Sequence, residues 1–264
     1  MTASGWESED EDSLPDFLLP PMSNPEVICP WIVPRAPKPL LELFDAEGQS
    51  QDYSVRAYIQ TEAERSTLVR RIDSGLVSQG VTNYRLNKPL AMNLYPDGSF
   101  QGFLNLFSSE PTPRLVRAVK PSRITSLPGK VFRERLMDDK ALFLEYVGYT
   151  ELAGKSELIG MEALFSLSLP ERFLLFWAAT LFHCGVNPLE SEKEYLELPM
   201  QVSRATLSSI IYTTKAPLDR LLSAAAKEGT LIRPAGKRLI RTCKSSKDHS
   251  KPRNEVDTSL KSPV

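Results

Sequence analysis

The sequence predicts an α+β chain: an antiparallel all-β sandwich or barrel, then one unusually long helix, then a pair of short helices closed by a hairpin. Three observations carry that prediction. Short apolar runs broken by Gly, Pro, Asn and Asp recur about every ten residues between Tyr53 and Arg133. Prolines vanish from Asp138 to about Ser166 while apolar residues keep helical spacing. Residues 203–226 hold two cappable, apolar-spaced segments around a tight turn.

Composition bounds the possibilities. A chain of 264 residues with 41% hydrophobic content is long enough for two modest domains with their own cores. The strongest apolar stretch, Phe173 to Phe182, is far shorter than the roughly 20 residues of a membrane span, and the first residues are acidic instead of basic then apolar. No membrane association and a cytoplasmic location are expected. Cys29, Cys184 and Cys243 form no C-x-x-C pair, which argues against zinc, iron-sulfur and disulfide frameworks. Cys184 beside His183 reads as core packing on an apolar helix, not as a thiolate centre. The net charge of −1 hides an asymmetry: residues 1–22 carry six acids and no base, and residues 201–264 carry thirteen Lys or Arg against five Asp or Glu, a local +8. A basic segment in a neutral protein suits phosphate binding.

The elements follow in order. Residues 1–25, acidic and proline-punctuated, read as a disordered extension, and residues 243–264 as a disordered tail. Strands are expected at Tyr53–Ile59, Thr67–Ile72, Leu76–Tyr84, Ala91–Tyr95, Val116–Val119 and Arg123–Leu127. Turns fall at Asp73–Gly75, Asn87–Pro89 and Pro96–Gly98. The long helix, 138–166, carries Leu142, Val147, Leu152, Leu158, Met161 and Phe165. Its glycines, Gly148, Gly154 and Gly160, each cost up to about 1 kcal/mol against alanine, so a second helix approaching them, as in a dimer seam, would compensate. Ser168-Leu169-Pro170-Glu171 forms a capping box that opens a helix running to about His183, with Phe173, Phe176, Trp177, Thr180, Leu181 and Cys184 on one face.

The segment SRATLSSIIYTTKAPLDRLLSAAA has the helix-turn-helix plan. Leu207, Ile210 and Ile211 are the core positions of the first helix, and Leu218, Leu221, Leu222 and Ala225 those of the second. Ser203 and Thr214 are the expected caps, and Pro217 sits in a first turn where its missing amide proton costs little. The opposite face of the second helix presents Lys215, Ala216, Asp219 and Arg220 near its start, where a helix in the major groove meets base edges. Arg220 and Lys215 suit guanine, a bidentate arginine giving roughly 1–3 kcal/mol of discrimination. Ser203, Arg204 and Thr214 suit backbone phosphates. Gly229 ends the second helix, and Leu231 to Ile240 alternates as a hairpin whose tip, Gly236-Lys237-Arg238, would place Lys237 and Arg238 near a phosphate strand.

From about Tyr53 to Arg241 the chain resembles the superfamily of the cyclic AMP receptor protein and the fumarate-nitrate regulator (Crp/Fnr). The resemblance rests on an ordered set of motifs: Leu94-Tyr95-Pro96-Asp97-Gly98-Ser99-Phe100-Gln101-Gly102, Leu106-Phe107, Arg117-Ala118-Val119, the long helix, and Leu198-Pro199-Met200-Gln201-Val202-Ser203-Arg204. It implies a β-roll sensor-like domain (26–137), a dimerisation helix (138–166) and a winged helix (167–242). It also implies a homodimer on a near-palindromic site in double-stranded DNA, with RNA polymerase as a further partner. The departures matter equally. Where cyclic-nucleotide-binding members carry a glutamate after the glycine matching Gly102, this chain has Phe103, and their Arg-Ser pair becomes Pro113-Arg114-Leu115, which argues against cyclic AMP. The strand region from Tyr53 to Arg133 carries no Cys or His for haem, and no cysteine cluster opens the chain, so no cofactor is expected. Gly102, Phe103, Leu104 and Arg114 outline the place for a small-molecule effector of unknown identity, with some similarity to the branch that senses 2-oxoglutarate.

Two histidines, no phosphate loop and no metal-ligand cluster leave little for an enzyme. The competing reading is a winged helix used for a protein partner. The basic excess around the helix pair favours DNA.

Overall fold

The computed structural model describes residues 28–62, 67–83, 88–103, 106–107, 114–188, 191–232 and 239–241. Two four-stranded antiparallel sheets build its amino-terminal half. One joins β1 (Gln49–Tyr53), β8 (Ser122–Pro128), β3 (Leu68–Ser74) and β6 (Phe100–Gln101) in that order. The other joins β2 (Tyr58–Gln60), β7 (Leu115–Ala118), β4 (Leu76–Asn83) and β5 (Lys88–Pro96). The helices are α1 (Lys38–Glu47), α2 (Gly129–Asp138), α3 (Lys140–Ser166), α4 (Leu169–His183), α5 (Arg204–Ile210) and α6 (Lys215–Lys227). A small antiparallel sheet, β10 (Leu231–Ile232), β11 (Leu239–Arg241) and β9 (Tyr195–Glu197), follows the last helices in space.

Five of the expected strands match observed ones to within a few residues. The sixth, Tyr53–Ile59, is two strands instead: Arg56 adopts a left-handed φ of 73°, so the chain turns between β1 and β2. Of the expected turn at Asn87–Pro89, Lys88 and Pro89 already lie in β5, paired with Asn83 and Thr82. Helices α1 and α2 were not expected. Each buries only two side chains, Leu40 and Phe44 in one, Phe132 and Leu136 in the other, too few to stand out as a periodic pattern. Arg71 fastens α1 to β3: its guanidinium donates to Asp45 at 2.6 Å, Asp73 at 2.6 Å and the Leu41 carbonyl at 2.7 Å, and lies over the Phe44 ring.

An aromatic core fills the space between the first sheet and the helices. Phe100, fully buried, touches the rings of Phe44, Phe103, Phe132, Tyr146 and Tyr149. The two tyrosines also satisfy backbone: Tyr149 Oη donates to the Phe100 carbonyl at 3.1 Å and Tyr146 Oη to that of Phe103 at 2.9 Å. A second core gathers Trp31, Ile32, Leu76 and Leu94 with Phe173, Phe176, Trp177, Leu207, Ile210, Leu218 and Leu231, so the carboxyl-terminal helices share it with the β structure.

The long helix is 27 residues and unbroken, opened by the Asp139 carboxylate, which accepts from the amides of Ala141 and Leu142. Its buried positions are Tyr146, Tyr149, Ala153, Ser156, Gly160 and Ala163. Of the apolar residues that mark this helix in the sequence, Val147, Leu158, Met161 and Phe165 are exposed. Gly148 and Gly154 face open space, and Gly160 lies against the indole of Trp31.

In α4 the Glu171 carboxylate accepts from the Ser168 amide at 2.6 Å, as the capping box requires. Cys184 is exposed, contrary to the expected core packing, because the helix ends at His183 and the chain turns away through Gly185. Among the described residues, no helix is long and apolar enough to cross a membrane.

Two stability predictions follow from this packing. Phe100→Ala should cost about 3–5 kcal/mol in denaturant unfolding, since it empties the centre of five contacting rings. Burial lowers the His183 imidazole to about 4 from 6.5; neighbouring Arg35 adds to this and Asp97 opposes it. The folded state therefore binds fewer protons than the unfolded one between those values. Stability present above pH 6.5 is lost as pH falls towards 4, and His183→Leu should flatten that part of the unfolding profile.

Candidate nucleic-acid interface

Helix α5 is short because two local signals bound it. Ser203 accepts from the Thr206 amide at 3.1 Å at its start, and Tyr212, with a left-handed φ of 50°, turns the chain at its end. Leu207, Ile210 and Ile211 point into the second core, as do Leu218, Leu222 and Ala225 of α6. With that face of α6 buried, Lys215, Ala216 and Arg220 are left exposed and Asp219 half-buried. Thr214 occupies the cap position of α6, yet its side chain makes no capping hydrogen bond, contrary to expectation.

The sequence-predicted phosphate and base residues are not independent. Arg204 Nη1 donates to Asp219 Oδ1 at 2.7 Å, a partly exposed pair that ties the start of α5 to the second turn of α6. Arg204 thus orients the helix pair, and Asp219 is already engaged. Lys215 and Arg220 remain as the exposed cations of the amino-terminal half of α6, whose first turn contains no acid. A lysine at the positive end of a helix macrodipole is electrostatically unfavourable by itself, and an anion held there reverses the sign. A groove of about 470 Å³ runs beside the pair, lined by Arg204, Asp219, Leu222, Ser223, Ala226 and Leu231. β10 and β11 pair antiparallel as the expected hairpin does, and β9, not anticipated, adds a third strand. The hairpin tip, with Lys237 and Arg238, lies outside the described residues.

The effector residues expected in the β structure fall differently. Gly102 has a φ of 99°, and a Cβ there would stand 2.5 Å from the Leu68 carbonyl oxygen. Phe103 is buried in the aromatic core, edge-on to Phe100 and Tyr149. Leu104 lies outside the described residues. Arg114 is half-buried, with a buried Nε that has no hydrogen-bond partner.

Around Arg114 lies a polar network that sequence reasoning missed. Arg70 Nη1 donates to Gln60 Oε1 at 2.9 Å and Gln101 Oε1 at 3.1 Å, and Gln101 Nε2 donates to Gln79 Oε1 at 3.3 Å. Gln60 Nε2 reaches the Arg114 carbonyl, and Asn93 Nδ2 donates to Glu157 Oε1 at 2.5 Å, joining β5 to α3. Burial raises the Glu157 carboxyl, with Arg114 and Asn93 pulling it back. Burial likewise pushes the Tyr95 phenol well up. Among the described residues, no group of three or more His, Cys, Asp or Glu is placed to hold a metal ion.

No protein-family model matches the sequence, and no curated protein does. Solved structures do. A CooA variant from Carboxydothermus hydrogenoformans matches with a TM-score of 0.62 at 19% identity, covering 82% of this chain and 98% of its own. The c-di-GMP-responsive global regulator CLP of Xanthomonas campestris matches at 0.61 and 17% identity, covering 78% and 99%. A protein from Eubacterium rectale, described as a transcriptional regulator of the crp/fnr family, matches at 0.57 and 13% identity, covering 80% and 94%. Over about four-fifths of its length this chain has the Crp/Fnr-type fold.

Proposed function

We propose that this chain is a sequence-specific, DNA-binding transcription regulator of the Crp/Fnr type, acting as a homodimer in the cytoplasm and without cyclic AMP. The observation that carries the reading is α6: one face buried in the second core, the other presenting Lys215, Ala216 and Arg220 at its amino-terminal end with no acid in the first turn. In this reading residues 167–242 are a winged helix-turn-helix. α6 enters the major groove, Arg220 and Lys215 read base edges, and Ser203, Thr214, Lys237 and Arg238 meet phosphates. Residues 26–137 form the β-roll and 138–166 the dimerisation helix.

Dimerisation is supported by the far side of α3. Leu144, Val147, Glu151, Gly154, Leu158, Met161 and Phe165 follow one another at alternating steps of three and four, the spacing of a coiled-coil seam. The apolar members are unusually exposed, Phe165 at 87% and Leu158 at 55%. Gly148 and Gly154 meet nothing within 4 Å, leaving room for a partner helix to approach closely.

Independence from cyclic AMP is supported by the β-roll interior, where Arg70, Gln60, Gln79 and Gln101 bond to one another. Phe103 offers no acceptor where nucleotide-binding members carry a glutamate. An enzymatic role has no support in the described residues.

The test is retention of fragmented genomic DNA by the purified protein without added ligand. Enrichment of a two-fold-symmetric motif is expected, and Arg220→Ala should lose about 1–3 kcal/mol of discrimination at one position of each half-site. No enrichment by the wild-type protein would refute the reading. Leu158→Lys combined with Phe165→Glu should convert the dimer to a monomer in sedimentation velocity while the far-ultraviolet circular dichroism stays that of the wild type, since both side chains are exposed on the protomer.

A further inference from the structure

The segment 28–36, ahead of α1, runs along the open edge of β5 and joins three elements. On the strand side, the Val33 amide donates to the Leu94 carbonyl at 2.9 Å, the Leu94 amide to the Trp31 carbonyl at 2.8 Å, and the Ala36 amide to the Gly98 carbonyl at 2.8 Å. On the helix side, Ser156 Oγ lies 2.7 Å from the Cys29 carbonyl and 2.9 Å from that of Ile32, and the Trp31 amide donates to the Ser156 carbonyl. Trp31 itself is 2% exposed, and its ring meets Phe176 of α4.

Three costs converge on this tryptophan. Its φ of 62° is one that bulky residues rarely adopt. Its indole Nε1 is buried without a hydrogen-bond partner. Its ring fills a notch at Gly160 so closely that a Cβ there would stand 2.6 Å from Cδ1 and 2.8 Å from Nε1. Such strain persists only where the surroundings over-determine a conformation, and the surroundings here are the junction between α3 and α4.

The same edge of β5 carries a second visitor. The Ala91 amide donates to Ser209 Oγ of α5 at 2.6 Å, three residues from the Leu94 contacts of the strap. Strap and α5 thus sit end to end on one strand edge, while Trp31 grips the helix that leads into the α4–α6 unit.

We propose that residues 28–36 are a strap that sets the position of α5 and α6 against the β-roll, with Trp31 in the Gly160 notch as its positioning residue. The strap fixes α3 and α4 against β5, and the Ala91–Ser209 bond then docks α5 at a defined place. The consequence for DNA rests on the proposed function, and the docking itself does not.

The experiment compares the full-length wild type, Trp31→Ala, Gly160→Ala, the double variant and the conservative Trp31→Phe, by hydrogen exchange and by titration of the fragment the wild type enriches. Trp31→Ala should speed exchange about tenfold in peptides 88–94 and 204–211, leave β8 unchanged, and weaken DNA binding about tenfold. Trp31→Phe should recover most of both. Gly160→Ala should reproduce the defect from the other side of the contact, and the double variant should be no worse than Trp31→Ala, because the alanine then has room. Unchanged exchange at 88–94 and 204–211 in the folded single variants would overturn the strap. Additive defects in the double variant would overturn the notch. A variant that does not fold is replaced by its counterpart across the contact. A wild type that retains no DNA sinks the proposed function alone, and exchange then decides the docking.

Discussion

The rest of the structure depends on one helix having two usable faces. The buried positions of α3, from Tyr146 through Tyr149, Ala153, Ser156 and Gly160 to Ala163, run at alternating steps of three and four. The exposed positions from Leu144 to Phe165 run at the same steps, displaced by two residues, which on a helix of 3.6 residues per turn is the opposite side. The inward stripe changes character along its length. Two tyrosines close the aromatic core at its start, whereas Ala153, Ser156, Gly160 and Ala163 are small and let other chain segments come close. What approaches is the 28–36 strap and the second core, so the change from large to small side chains marks where the β structure hands over to the helical one.

That arrangement explains which parts of the fold were legible in the sequence. The strand runs between Leu68 and Leu127 were readable because Gly and Pro punctuate them, and α4 and α5 because Glu171 and Ser203 are local capping signals that need no tertiary partner. The two stripes of α3 were harder. Apolar residues on both faces blur the periodicity that identifies a packed side, so Val147, Leu158, Met161 and Phe165 marked the helix without showing that smaller residues hold its buried stripe. α1 and α2 were invisible because two buried side chains each do not make a pattern. Cys184 was misread by one position: helical spacing continues the apolar face of α4, but the helix stops at His183.

The candidate site divided along the same line. The exposed cations of α6 followed from local spacing alone. The Arg204–Asp219 pair, which binds one expected phosphate contact to one expected base reader, joins residues fifteen apart across a turn and left no mark in the sequence. The polar interior of the β-roll was missed for a more general reason. Polar residues alternating with apolar ones in a strand signal a solvated face, yet Arg70, Gln79 and Gln101 occupy positions that point inward, where they satisfy one another.

That interior constrains how a signal can travel. A ligand entering among Gln60, Arg70, Gln79 and Gln101 has to replace hydrogen bonds already made, and each buried group left unpaired costs about 1–3 kcal/mol. An uncharged or weakly polar guest cannot recover that loss, and even an anion drawn by the Arg114 guanidinium meets Glu157, the carboxyl that joins α3 to Asn93. The edge of β5 is held in a different way. Its contacts with Trp31, Val33 and Ser209 are backbone and single side-chain hydrogen bonds, but Trp31, Ile32 and Val33 are buried in the two cores, so the strap cannot leave the edge without opening them.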